Sequence, residues 1–397
     1  MDIFAYLIKF AHLKRRHMNK LWRFTLLLVF SLAVLCSCKD DDEQETNRTD
    51  NISREEKILR VKIAQMLMVG FRGTGPELTN EMKEAISEVQ VGGVILFEYD
   101  AIAQSRPRNI ESKTQLSQLI ANLKKAANGS LFVAVDQGGG KGCRLKENYG
   151  YPRTVTAQYL GDLNNTDTTS LYATSIAQMV SESGFNLNCA PCVDLNVNPL
   201  SPDIGAYQRS FSADPEIVTS IASIFYNKQK EKQVLSAFKH FPGHGSATSD
   251  SHDGFTDVSQ TWSANELEPY KRLIAKGTCD IIMTSHVFNS QLDDEYPATL
   301  SAKTINGLLR QQMGFNGVVI SDDMAMAAIR DNWDLETSIC KAINAGVDIL
   351  IFSNNQGEYN GHISQQAVDI IANLIRNGKI QKAASTAPIS VYSGSRV

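Results

Sequence analysis

The 397-residue chain has no excess of basic charge: 39 Lys and Arg stand against 43 Asp and Glu, a formal net charge of −4. Nothing in that balance favours nucleic acid as a partner. Cysteine is sparse. Of seven, Cys36 and Cys38 fall at the end of an N-terminal apolar segment, leaving Cys143, Cys189, Cys192, Cys279 and Cys340. That odd number without regular spacing does not read as a disulfide framework. Cys189 and Cys192 make a lone C-x-x-C around Ala190-Pro191, inside what reads as a strand, and are expected to be structural thiols. A phosphate loop is also missing: Asp136-Gln-Gly-Gly-Gly-Lys-Gly142 has Gly rather than Ser or Thr after Lys141 and lacks the first Gly of the spacing. It reads instead as a turn where backbone approaches a ligand closely.

No apolar run is long enough for a membrane-spanning helix. The longest, Phe24 to Leu35, follows a basic stretch of Lys14, Arg15, Arg16, Lys20 and Arg23 and precedes Cys36-Ser-Cys38. This is the pattern of a secretory signal that is cleaved, and it would begin more naturally at Met18. Leu35-Cys-Ser-Cys38 resembles a bacterial lipoprotein box with Cys38 as the lipidated residue. Signal residues 1–38 would then leave a soluble domain anchored through acyl chains, each buried methylene contributing about 0.8 kcal/mol. The competing reading is an uncleaved anchor helix. Residues 39–56 are acidic and lack aromatics, as expected of a solvated tether. Their acidic start also resembles surface-export signals of some Gram-negative lipoproteins.

The roughly 340 residues beyond the tether suffice for one large domain with a full core. Short apolar runs alternate there with helical patterns. Strands are predicted at Met68–Phe71, Gly93–Phe97, Phe132–Val135, Leu187–Val193, Leu235–Phe238, Asp280–Thr284, Gly317–Ile320 and Asp348–Phe352. Helices are predicted at Glu55–Met66, Asn80–Glu88, Lys113–Ala127, Ser170–Ser183, Asp214–Lys230, Ser263–Lys276, Ala302–Gln312 and Asp334–Ala345. Eight alternations of buried strand and helix predict an α/β fold, a (β/α)8 TIM-like barrel, with a doubly wound open sheet as the alternative. Asp136, Asp194, Lys239-His240, Ser285-His286, Asp322-Asp323 and Ser353-Asn354 each follow directly on an apolar run. In a parallel barrel such strand ends converge on one face, where barrel enzymes place their active sites. Single buried acids are often helix caps, but so many polar strand ends on one rim predict a polar substrate pocket.

Lys239 to His252, reading Lys-His-Phe-Pro-Gly-His-Gly-Ser-Ala-Thr-Ser-Asp-Ser-His, concentrates titratable groups after the run Val234–Phe238. Pro242, Gly243 and Gly245 exclude a regular helix, so these groups are expected on a loop leaving a strand end. His240 and His244 have zinc-like spacing, yet without a helix or an adjacent Glu the motif is incomplete. A polar loop with purely structural histidines and an acid–base dyad of Asp250 and His252 remain. A carboxylate two residues from an imidazole holds its tautomer and raises its basicity.

These residues together resemble glycoside hydrolase family 3, in its single-domain bacterial β-N-acetylglucosaminidase branch. The likeness runs from Gln65-Met-Leu-Met-Val-Gly70 to Ala345-Gly-Val-Asp-Ile-Leu350. It includes Gly92–Phe97, Asp136-Gln137, Val193-Asp-Leu195, Arg209-Ser-Phe211, Met283-Thr-Ser-His286, Pro297–Ser301 and Ile320-Ser-Asp-Asp-Met324. The resemblance implies a catalytic barrel over 57–385 with a tail at 386–397. It implies Asp322 as nucleophile, Asp323 being the second choice, and the Asp250–His252 dyad as general acid/base. Asp136, Arg144, Arg209, Lys239 and His240 would hold the sugar. It further implies a retaining hydrolase that removes terminal β-linked N-acetylhexosamine through a glycosyl-Asp intermediate, with no metal or organic cofactor. Two-domain members supply a Glu acid/base from a second domain; with some forty residues after the last predicted strand, the dyad is expected to serve here. Gly138 and Lys141 depart from the family's Glu and Arg, which bears on the sugar subsite. The expected partners are a small carbohydrate and a membrane reached through the lipid anchor, for an exported, outer-membrane-anchored monomer facing periplasm or cell surface. Two alternatives stand beside this: a glycoside phosphorylase of the same family, and an inactive glycan-binding lipoprotein.

Overall fold

The computed structural model describes residues 53–127 and 130–380. The signal at 1–38, Cys38, the tether up to residue 52 and the tail at 386–397 lie outside the described residues. Among those described, no helix is long and apolar enough to cross a membrane. The first described helix begins one residue before its predicted start at Glu55 and overlaps the end of the predicted tether. Arg54–Ala64 is capped by Ser53, whose Oγ accepts from the Glu56 N–H at 3.1 Å, so residues 54–56 belong to the helix and not to the tether. Glu55 and Glu56 in its first turn suit the helix dipole.

Eight parallel strands form a closed barrel in sequence order: β1 (Leu67–Val69), β2 (Gly93–Ile95), β3 (Phe132–Val135), β4 (Leu187–Asn188), β5 (Leu235–Phe241), β6 (Ile281–Thr284), β7 (Val318–Asp323) and β8 (Ile349–Phe352). Strand β1 closes the ring on β8, with Met68 opposite Ile351. Alternation along each strand divides the core in two. Met68, Ile95, Ala134, Ala237, Ile281, Met283, Ile320, Ile349 and Ile351 fill the barrel interior. Their neighbours Leu67, Val69, Val94, Val133, Val135, Phe238, Ile282, Val319 and Leu350 face the helices outside.

Strands differ from expectation where the backbone leaves the regular ladder. β4 stops at Asn188, well short of Val193, because Pro191 has no N–H to donate; pairing with β5 resumes where Cys192 faces Lys239. β5 runs to Phe241, so Lys239 and His240 sit within the strand and not on the loop after it. Likewise β7 includes Asp322 and Asp323. The register of both strands shifts at these places, between Phe238 and Phe241 and between Ile320 and Asp323. Such irregularities re-aim side chains, and here they carry the polar groups of the barrel mouth. Among the described residues, helices that the sequence pattern did not suggest include Ala157–Leu163 and Ile363–Arg376.

Candidate active site

Polar residues singled out in sequence form two groups at the ends of β3, β4 and β5, Asp136 with Lys239 and Arg144, and His240 with Asp194 and Arg209. Lys239 Nζ lies 2.7 Å from Asp136 Oδ1, and Arg144 Nη2 lies 3.5 Å from Asp136 Oδ2. Burial opposes the charge on Asp136, but Lys239, Arg144 and Arg209 outweigh it and hold the carboxyl down at about 2. Arg209, on the segment after β4, places Nη2 3.3 Å from His240 Nε2. The other face of that imidazole is fixed from beneath: His240 Nδ1 is 2.7 Å from Asp194 Oδ2, leaving Nε2 toward the mouth. Asp194 is fully buried and also accepts from the His240 and His244 N–H groups, at 3.1 and 2.9 Å. Burial pushes against its ionisation, yet the His240 pair and these donors keep it at about 2.

The two adjacent acids of β7 have separate surroundings. Asp323 is buried, accepts from the Ser353 N–H at 3.0 Å and the Ala325 N–H at 3.1 Å, and is bonded by the Ser353 hydroxyl. Burial nevertheless raises its pKa. It is a structural clamp between β7 and β8. Asp322 keeps some exposure, and its side chain takes one hydrogen bond, from the Asp323 N–H at 2.8 Å. Burial would raise its pKa, but the surrounding His240, His286, His252 and Lys239 lower it below the usual carboxylate value. His286 is buried and locked, with Nδ1 2.8 Å from Thr299 Oγ1 and Nε2 2.9 Å from the Asp323 carbonyl.

The dyad lies on the loop that follows β5. His252 Nδ1 is 2.7 Å from Asp250 Oδ1, which also accepts the His252 N–H at 2.8 Å. This leaves Nε2 as the atom available for proton transfer, and the His252 side chain is 41% exposed, whereas Ser251 between the pair is buried. Ser251 ties the loop down. Its hydroxyl is 3.2 Å from His244 Nε2, and its carbonyl accepts from the Ala328 N–H at 3.3 Å, joining the loop to the segment after β7. Burial disfavours a charged His252, but the Asp250 hydrogen bond and the charges of Asp203 and Asp322 raise its pKa to about 9. The glycines of the block have steric reasons. Gly243 has φ +121, and a Cβ on Gly245 would collide with the Leu195 carbonyl.

Several residues of this site carry no signal in sequence. Glu266 looks like an ordinary helix acid, yet it is buried beneath the block and accepts from the Gly245 N–H at 3.0 Å. Burial raises its pKa to about 7. The folded state therefore holds this proton more tightly than the unfolded chain, whose value is 4.5. Its contribution to stability is present below that unfolded value, declines as pH rises toward about 7 and is then level. Urea midpoints of Glu266→Gln relative to the parent are expected to rise across that window; an unchanging difference would contradict a buried, protonating Glu266. Glu98, just past β2, is also buried and accepts from Lys146 Nζ at 2.7 Å, with Arg144 Nε 3.8 Å away. Asp203 is the third, buried and paired to Arg209 at 2.6 Å.

Two triplets, Cys192/Asp194/His240 and Asp203/Asp250/His252, each bring donor atoms within 4.8 Å. In both, the carboxylates already accept hydrogen bonds from neighbouring side chains, as in a protein-only polar network. Burial pushes the Cys189 thiol up to about 12 and the Cys192 thiol well above its ordinary value, so both are neutral core groups. Of the departures after β3, Gly138 leaves open room, since a Cβ there would meet only Ala190 Cβ at 4.0 Å. Lys141 is exposed and donates to the Ala206 carbonyl at 3.4 Å. It lines a flanking groove of about 1010 Å³ with Lys146, Arg153 and Tyr159, which Asp136, Arg144, Arg209, Lys239 and His240 do not line.

The chain matches the model described as "Glycosyl hydrolase family 3 N terminal domain" over residues 58–389. It is 36% identical over 289 residues to the β-hexosaminidase of Tolumonas auensis, covering 71% of this chain and 81% of that protein. Among solved structures, it resembles a glycoside hydrolase family 3 β-N-acetylglucosaminidase from Paenibacillus sp. FPU-7, at 29% identity and a TM-score of 0.75. That match covers 85% of this chain and 62% of the other. A β-N-acetylhexosaminidase from Beutenbergia cavernae gives 27% identity and a TM-score of 0.72, covering 85% and 98%. With the barrel, the acidic and basic groups at its mouth and this match over most of its length, the chain belongs to glycoside hydrolase family 3 and is a glycosidase.

Proposed function

We propose that the protein removes terminal β-linked N-acetylglucosamine by a retaining, two-step mechanism. The observations that carry this reading are Asp322 in β7, whose carboxylate takes a single hydrogen bond, and an imidazole on a separate loop held through Nδ1 by Asp250 with its side chain partly exposed. Asp322 attacks the anomeric carbon while His252 Nε2–H gives its proton to the departing glycosidic oxygen, so the C–O bond breaks as the glycosyl ester forms. Neutral His252 then takes a proton from water, whose oxygen displaces Asp322 and releases the sugar with its original configuration. Asp250 holds the imidazole by Nδ1 in the tautomer this requires. Asp136, Lys239, Arg144, Arg209 and His240 bind the sugar hydroxyls and acetamido group. Export and anchoring through Cys38 belong to the same proposal, resting on the basic, apolar and Cys-bearing order of residues 14–38.

The direct test follows an aryl N-acetyl-β-glucosaminide by NMR, with and without phosphate. Free β-anomer as the first product supports the reading; sugar 1-phosphate would replace it with phosphorolysis, and absence of turnover on any aryl glycoside would leave a binding protein. Three further outcomes are expected. Against pH, kcat/KM should have a plateau across neutrality and fall above about 9, as His252 loses its proton. Its acid limb should lie below the ordinary carboxylate range, where Asp322 is protonated. Asp250→Asn should move the alkaline limb downward, and an unmoved limb would separate His252 from it. Lys239→Met should weaken binding, because it leaves Asp136 with one fewer cation in a buried cradle. A rise in KM of about 10–100-fold is expected, matching the loss of a charge-assisted bond; an unchanged KM would place the sugar elsewhere.

A further inference from the structure

Between the sugar cradle and the dyad loop lies a turn, residues 198–209, held at both ends. At one end Asn198 donates its Nδ2 to the Ala247 carbonyl at 2.9 Å and its N–H to the Gly245 carbonyl at 3.2 Å. At the other, Arg209 Nη1 donates to Asp203 Oδ1 at 2.6 Å and to the Asp203 carbonyl at 3.2 Å, while its Nη2 meets His240. Asp203 is 8% exposed. Its carboxylate, one oxygen of Asp250 and one nitrogen of His252 all lie within 4.8 Å of one another. His252 thus has two carboxylates close by, one from its own loop and one from a turn that also grips Arg209.

We propose that Asp203 is a positioning residue for the acid–base step, joining Arg209 in the sugar cradle to the imidazolium of His252 so that a filled cradle and a docked loop favour each other. This deepens the proposed function and rests on it. A buried carboxylate cannot stay charged without cations. Arg209 supplies one permanently, and His252 supplies a second when protonated and docked. The groups that act on His252 are Asp250, Asp203 and Asp322, with His286 also facing it; those that act on Asp203 are Arg209, His244, His252 and His240. Protonated His252 is therefore held at the mouth, which is the form the leaving group needs.

Asp203→Asn is close in shape and keeps acceptor capacity toward Arg209, so it removes chiefly the charge. Two readouts separate an action on His252 from a purely structural one. The first is the titration of the His252 ring by NMR in the free protein, which needs no turnover. The second is the alkaline limb of kcat/KM on substrates with poor and activated leaving groups. Both midpoints are expected to fall together by about 1–3 pH units, the size of one lost opposite charge within about 4–6 Å. Poor-leaving-group substrates should lose more kcat than activated ones, and Asp203→Glu should restore part of each effect. A raised KM on all substrates, with both midpoints unmoved, would show that Asp203 serves Arg209 alone and would overturn the inference. A parent protein that turns over no glycoside would sink the proposed function instead, and the ring titration would still decide the contact between Asp203 and His252.

Discussion

Asp322→Asn is expected to abolish hydrolysis while leaving the fold and sugar binding intact. The amide keeps the shape and still accepts from the Asp323 N–H at 2.8 Å, but it is too weak a nucleophile to form the ester. Loss of a nucleophile that acts together with its acid partner typically costs about 10⁴–10⁶ in kcat, equivalent to about 5–8 kcal/mol of barrier. The residual rate should depend little on pH, and the product ligand should bind as tightly as in the parent. Asp323→Asn should behave differently. That residue clamps β7 to β8 through Ser353, so the change should lower thermal stability and reduce activity only as far as β7 is displaced. If Asp323→Asn were the silent enzyme and Asp322→Asn nearly fully active, the roles of the two acids would be exchanged.

His252→Ala should give the second largest effect, and its signature is the dependence on leaving group. A departing alkoxide needs a proton, whereas an activated phenolate leaves without one. Loss of general acid catalysis should cost about 10²–10⁴ on an unactivated disaccharide and far less on the first step with activated aryl glycosides. With the latter, breakdown of the glycosyl-enzyme becomes limiting, because His252 also activates the incoming water. A burst of released phenol followed by slow turnover should therefore appear. Equal losses on both substrate types, without a burst, would remove His252 from proton transfer.

The barrel was legible because each strand is a short apolar run with polar residues directly beyond it, such as Phe132–Val135 before Asp136. Helix starts were legible where a cap is local, as with Ser112 before Lys113–Ala126. Strand lengths were not, because Lys239, His240, Asp322 and Asp323 read as loop residues by polarity although their backbones still belong to the sheet. Two adjacent acids could not be told apart in sequence; what differs between them in the fold is Ser353, thirty positions from Asp323, which bonds that carboxylate and is the ground on which we propose Asp322 as the nucleophile. The dyad was visible because its partners are two residues apart. Asp203, Glu98 and Glu266 were invisible for the opposite reason: each gains its importance from burial and from partners that folding brings to it.

One covalent bond, between a sugar and Asp322, distinguishes the proposed two-step mechanism from single-step inversion and from mere binding. Incubation with an activated fluoro-sugar N-acetylglucosaminide, which forms the ester quickly and breaks it slowly, followed by peptide mass spectrometry, detects that bond directly. A stoichiometric label on Asp322 is the expected result. A label on Asp323, or turnover that continues with inversion of configuration and no labelled peptide, would contradict it.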